Sequence, residues 1–228
     1  IFTTPERPGG AQRESFGQQF AGLGAIFASR AYWRYAPQTT MIVGGFMALQ
    51  GLWALPFMMT VNGMTRTAAA FHLLLMAGAM LVGFLLIAFL VRRLARAGLP
   101  PARLLAIGMG GGMAVMLCIV LQIGPSWLLW PGLGLMFAVG NLAYALLSAE
   151  FPVALAGRVN TALNFGAFAG AFAVQWLFGV AVDGLQAAGY AAGSAYRISL
   201  AGLLVLQMAG WLWFLFGSAA QRRPRSLA

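Results

Sequence analysis

Five amides stand almost alone inside long apolar stretches of this sequence: Gln50, Asn141, Asn164, Gln175 and Gln207. Three aromatic residues with a polar edge lie close to them: Trp53, Tyr144 and Trp176. An amide offers donors and acceptors without charge. In hydrocarbon such a group is costly, so it should face a binding cavity or bond to a neighbouring helix. As a cavity lining, this set favours a neutral or amphipathic organic solute. The single histidine, His72, has the chemistry of a proton relay, although an interfacial packing histidine is the commoner case. Charged groups gather at the ends of the apolar stretches. Arg92 and Arg93 follow one of them, and Glu150, Arg158 and Asp183 flank others. Glu150 and Arg158 could pair as a gate, or each could be a solvated loop charge. No acid falls in the middle of an apolar stretch.

Other chemistries lack their parts. One histidine and one cysteine, Cys118, leave no ligand set for a metal and no intrachain disulfide, and nothing points to a cofactor. An intramembrane serine protease needs a serine–histidine pair. Ser148 and Ser194 lie near the ends of apolar runs, and neither has a Gly-x-Ser-x-Gly setting. The sequence therefore predicts no enzyme.

The elements that hold these residues follow from composition. Hydrophobic residues make up 61% of the 228 positions and charged ones 8%, too much apolar surface for one soluble core. Six apolar runs stand out, at roughly 37–59, 67–91, 102–123, 127–148, 159–182 and 196–217. Each can cross a hydrocarbon core of ~30 Å at ~1.5 Å per residue. Backbone groups in lipid must bond within their own segment, so the runs are helices. Before them, residues 1–15 read as a flexible linker with Pro5, Pro8, Gly9 and Gly10. Residues 16–34 place Phe16, Phe20, Leu23 and Phe27 on one helical face, which predicts an amphipathic interfacial helix. Residues 35–219 form the transmembrane unit, and 220–228 a basic tail.

The net charge of +10 comes from fourteen arginines and no lysine against four acids. A nucleic-acid partner is excluded, because the arginines sit in short clusters between apolar runs. Twelve of them fall on one side of a six-span chain: Arg7, Arg13, Arg30 and Arg34; Arg92, Arg93, Arg96 and Arg103; Arg158; and Arg222, Arg223 and Arg225. Arg66 and Arg197 fall on the other. That bias puts both termini in the cytoplasm.

The segment 76–91 can be laid on 168–183, with Ala77-Gly78-Ala79 on Ala169-Gly170-Ala171. These copies lie in spans two and five, which cross in opposite directions, as in an inverted 3+3 repeat. Ala162, Gly166 and Gly170 form a small-residue stripe on span five, and Gly108 with Gly110 to Gly112 a small patch on span three. Both predict close helix packing.

Further stretches carry a family resemblance. They are Gln50-Gly51-Leu52-Trp53-Ala54-Leu55-Pro56, Arg92-Arg93-Leu94-Ala95-Arg96-Ala97-Gly98, Phe151-Pro152 with Gly157-Arg158 and Asn160-Thr161-Ala162-Leu163-Asn164, and Gly179 to Asp183. In this order they resemble the C-terminal six-helix half of the major facilitator superfamily. The resemblance implies a secondary transporter of a small organic solute, working by alternating access in the cytoplasmic (inner) membrane. It implies a second six-helix half, expected upstream because the sequence begins at Ile1 rather than Met. It also favours Gln50, Trp53, Asn141 and Tyr144 as cavity residues. One departure stands out. The family's loop motif carries a Gly-x-x-x-Asp before its arginines, and here those positions fall at Ile87 and Val91. A non-transporting membrane scaffold remains the alternative.

Overall fold

The computed structural model describes residues 23–220, so the linker at 1–15, Phe16, Phe20 and the basic tail lie outside the described residues. Six helices are long and apolar enough to cross a membrane. They are α1 (Arg30–Val61), α2 (Arg66–Arg96), α3 (Pro101–Leu121), α4 (Ser126–Ser148), α5 (Val153–Ala187) and α6 (Ala192–Gly217). Five contain their expected apolar run; the third run, 102–123, overshoots α3, which ends at Leu121 because Gln122 turns left-handed (φ +60°) and closes the helix. Most are longer than that run, since a helix continues past the hydrocarbon until a cap stops it.

The first boundary differs from expectation. The amphipathic helix predicted over 16–34 does not run through to Arg34. A helical segment at 23–28 ends at Ser29. Ser29 is extended (φ −76°, ψ 133°), and its hydroxyl accepts a bond from the Ala31 N–H at 3.1 Å. A side-chain cap at this point starts a new helix, so residues 30–34 belong to α1. Between α1 and α2 the chain turns through Gly63 (φ +64°), and Thr65 caps α2 by accepting from the Ala68 N–H.

The helices pack as two triplets that exchange their first members. α1 lies along α5, and α4 lies along α2, each pair running parallel. α3 and α6 pack on each other and complete the bundle. This is the inverted 3+3 arrangement. Small residues make the close pairs possible. A Cβ on Gly44 of α1 would come within 2.5 Å of the Ala167 carbonyl oxygen, and one on Gly170 of α5 would collide with the Thr40 carbonyl. In the other pair, a Cβ on Gly134 of α4 would collide with the Met76 carbonyl, and one on Gly83 would come within 2.9 Å of the Leu135 oxygen. The predicted stripe of Ala162, Gly166 and Gly170 is therefore a packing seam. Gly166 faces the Thr40 hydroxyl, and the Tyr32 hydroxyl donates to the Ala162 carbonyl at 3.3 Å. In α3, Gly108 meets Val139 and Gly110 meets Trp211.

The repeat register shifts slightly. The alignment lays Met76 on Phe168, but Met76 is matched in role by Ala167, since each presents its carbonyl to a glycine of the partner helix. Gly78, laid on the tightly packed Gly170, has open space around it. The architecture is repeated, while the residue match is displaced.

The first helix of each triplet is irregular. In α1, Thr39–Gly44 and Leu49–Trp53 are wound as π-helix. In α4, Ala138–Asn141 tightens to a 3₁₀ turn. Pro37 supplies no N–H for the Trp33 carbonyl. The Trp213 indole N–H of α6 fills that role, donating to the Trp33 carbonyl at 2.7 Å.

Candidate functional site

The two irregular helices meet α2 and α5 around a cavity of about 550 Å³. Its walls are apolar and aromatic where Phe46, Met47, Met80, Phe84 and Phe137 contribute. Its polar groups are Gln50 on α1, Asn141 and Tyr144 on α4, and Asn160, Thr161 and Asn164 on α5. Gln50 lies in the second π segment and Asn141 closes the 3₁₀ turn. Departures from α geometry thus set an amide into the cavity from the first helix of each triplet, and such departures cluster at functional sites.

The hydrogen bonding leaves capacity for a ligand. Tyr144 donates its hydroxyl proton to Asn164 Oδ1 at 3.1 Å, which fixes that carbonyl and leaves the amide nitrogen available. Ser148 does the same for Asn160, donating to Oδ1 at 2.7 Å. The Thr161 hydroxyl is turned back to the Gly157 carbonyl at 3.0 Å. Gln50 and Asn141 have no hydrogen-bond partner among the described residues, and both are accessible. The cavity presents donors and acceptors against an aromatic wall, with no carboxylate or guanidinium among the described residues that line it. That arrangement can orient a neutral polar group while packing an apolar body.

The remaining predicted residues lie elsewhere. Trp53 does not line the cavity. Its indole N–H donates to the Gln175 carbonyl at 3.0 Å, and its ring stacks on Phe178 at 4.9 Å, with Tyr196 edge-on at 6.2 Å. Together with the Phe57–Trp130 pair at 5.7 Å, these rings fill the bundle at the end away from the arginine-rich ends of the helices. Gln175 lies beside Gly51, outside the cavity, and Trp176 is exposed. Gln207 is fully buried, packed against Gly45, and neither of its side-chain polar atoms has a hydrogen-bond partner among the described residues. His72 is part-buried on α2, and its Nδ1 lies 2.8 Å from the Ala68 carbonyl, a local bond within its own helix. Arg92, Arg93, Glu150 and Asp183 are exposed at helix ends, and Arg158 is part-buried in the first turns of α5. Sequence reasoning missed Asn160 and Thr161. Their signal was present, since both stand four and three residues before Asn164, one helical turn along the same face.

No protein-family model matches this sequence, and no curated relative matches it. Among solved structures, the chain is similar in fold to a bacterial homolog of the human lysosomal transporter Spinster, in an inward-facing and unoccupied conformation. The similarity has a TM-score of 0.62 at 15% sequence identity. It covers 100% of this chain and 55% of that one, so this chain spans little more than half the length of its structural neighbour.

Proposed function

We propose that this chain forms one half of a secondary transporter of the major facilitator type, the C-terminal six-helix half, moving a small neutral or amphipathic organic solute by alternating access. The observation that carries the reading is the half-cavity. Four helices line it, two of them break regular winding to place Gln50 and Asn141 in it, and those side-chain amides have no partner among the described residues. A second six-helix half facing the same cavity would enclose it. The 55% coverage of the bacterial transporter supports a half of that size.

In this reading Gln50, Asn141, Tyr144 and Asn164 hold the solute's polar group, and Phe46, Phe84 and Phe137 hold its apolar part. Trp53, Phe178 and Tyr196 obstruct the far end, and Trp53 acts as packing for that end rather than as a solute contact. The arginine-rich ends are cytoplasmic, in keeping with the positive-inside bias, and the membrane is the cytoplasmic one. The cavity polar groups lie towards those ends, so the site opens inward. Glu150 and Arg158 stand near that opening.

The test is uptake or efflux in proteoliposomes, with a panel of uncharged and amphipathic solutes preselected by thermal shift of the purified protein. A solute that stabilises the protein should lose at least about tenfold in apparent affinity in the Gln50→Ala/Asn141→Ala double variant, since two hydrogen bonds of ~1 kcal/mol each are removed. Transport that survives the double variant with unchanged KM would overturn this cavity assignment. A protein that binds no solute and moves none would return the scaffold alternative.

A further inference from the structure

Inverted repetition gives the bundle two comparable grooves on its outer surface. One runs between α2, α3 and α4, has a volume of about 320 Å³, and is lined by Leu86, Ile87, Leu90, Leu94, Leu104 and Ile107 among others. The second lies between α5 and α6, has a volume of about 410 Å³, and is lined by Leu177, Phe178, Leu185, Ile198, Leu203 and Leu206 among others. Both are apolar and both face outward: Ile107 is 62% exposed and Leu206 44%.

Their rims differ. The α5–α6 groove ends near Asp183 and Arg197, one charge of each sign, and the Arg197 Nε–H is committed to the Val120 carbonyl at 2.8 Å. The α2–α3 groove ends at Arg92, Arg93, Arg96 and Arg103. Arg93 immediately precedes the lining residue Leu94, and Arg103 immediately precedes Leu104. All four are exposed, and no hydrogen bond or ion pair joins their guanidinium groups to any described residue. The acids among the described residues are Glu150, at the end of α4, and Asp183, at the far end of α5. Helix α2 has 31 residues, or ~46 Å at 1.5 Å per residue, more than the ~30 Å hydrocarbon thickness. A helix of this length extends beyond the hydrocarbon, and its arginine-bearing last turn is the part suited to headgroup depth, with the apolar Leu86 and Leu90 suited to the acyl layer.

We propose that this groove and its four arginines form a binding site for one anionic phospholipid, with an acyl chain along α2 and α3 and the phosphate on the guanidiniums. Guanidinium is the side chain best matched to phosphate, and unpaired basic residues beside an apolar slot at the membrane surface select negative headgroups. Ile87 and Val91, where the resemblance leads one to expect a glycine and an acid, contribute here. Ile87 extends the apolar lining, and Val91 leaves the arginines beside it with no adjacent carboxylate.

The experiment is native mass spectrometry of the purified full chain, titrated with dioleoyl-phosphatidylglycerol or dioleoyl-phosphatidylcholine. Phosphatidylglycerol should bind at concentrations at least about tenfold lower than phosphatidylcholine. Arg93→Gln and Arg103→Gln should each weaken it about fivefold, in keeping with ~1 kcal/mol per basic residue near the surface. Arg30→Gln, which removes an exposed charge at the start of α1, should not. Leu90→Trp, which fills the slot, should abolish retention of the bound lipid, and Leu206→Trp in the other groove should not. If Leu90→Trp fails to fold by circular dichroism, Ile107→Trp fills the slot from its exposed side. Equal binding of the two lipids would overturn the proposal, and that result is also expected if another protein segment covers the groove. An Arg30→Gln loss equal to that of Arg103→Gln would overturn it too, since binding would then be diffuse surface attraction.

Discussion

At the scale of single residues, the polar groups in the membrane divide into those that face space and those that are sealed. Gln50 and Asn141 face the cavity, while Gln207 is sealed between α1 and α6. The difference is measurable by cysteine labelling. In a Cys118→Ser background, cysteines at positions 50 and 141 should react with a polar maleimide, and one at 207 should not react in the folded protein. Labelling at 207 as fast as at 141 would contradict the burial described above. Stability gives a second separation. A buried amide with no partners forfeits its solvation without recovering it, so Gln207→Leu should raise the unfolding free energy by about 1 kcal/mol. Thermal unfolding in detergent reads this directly; a loss of similar size would show that Gln207 makes a bond in the membrane. The sequence carried the list of amides but not this division. Gln50, Asn141 and Gln207 look alike as isolated polar residues in apolar runs. Which of them opens to a cavity depends on helix rotation, and π and 3₁₀ segments alter that rotation without an obvious residue signature. Asn160 and Thr161 stand out in the sequence only as part of the stretch that opens span five, and they lie so near its start that they do not count there among the polar groups deep in the membrane.

At the scale of the helix, length and apolar content were enough to find all six spans, because lipid forbids any other backbone arrangement. The start of α1 was missed, since Ser29 caps locally and the apolar periodicity of Phe27 and its predecessors conceals the break. The small-residue stripe was legible as packing, though its partner, Thr40 and Gly44 of α1, was not. Two substitutions on glycine separate seam from surface. Gly170→Leu forces a side chain onto the α1 backbone and should cost about 3 kcal/mol or more, seen as loss of folded protein. Gly78→Ala enters open space and should stabilise by up to about 1 kcal/mol through helix propensity. Equal effects would mean that the sequence register, which equates the two glycines, is right after all. The bond from Trp213 to the carbonyl left open by Pro37 allows a thermodynamic cycle. Trp213→Phe should cost about 1 kcal/mol, and less in a Pro37→Ala background, where residue 37 regains an N–H for the Trp33 carbonyl. An unchanged cost in that background would mean that Trp213 contributes only through packing.

At the scale of the whole molecule, the exchange of α1 and α4 between triplets bears on how the chain is made. Helices leave the ribosome in order, yet α1 has to wait for α5, and α2 for α4, before its closest neighbour exists. While α2 waits, the Met76 carbonyl region and Gly83 lie bare to lipid. The first three helices are therefore not a stable stage of biogenesis. A nascent chain arrested after Ile123 should be degraded by membrane proteases much faster than one arrested after the sixth helix, and pulse–chase measurement would show it. Insertion of this protein is thus separated from its folding. The membrane must keep several unpaired helices apart from other proteins until α4 and α5 have been inserted, and the membrane quality-control machinery has that same interval in which to discard them.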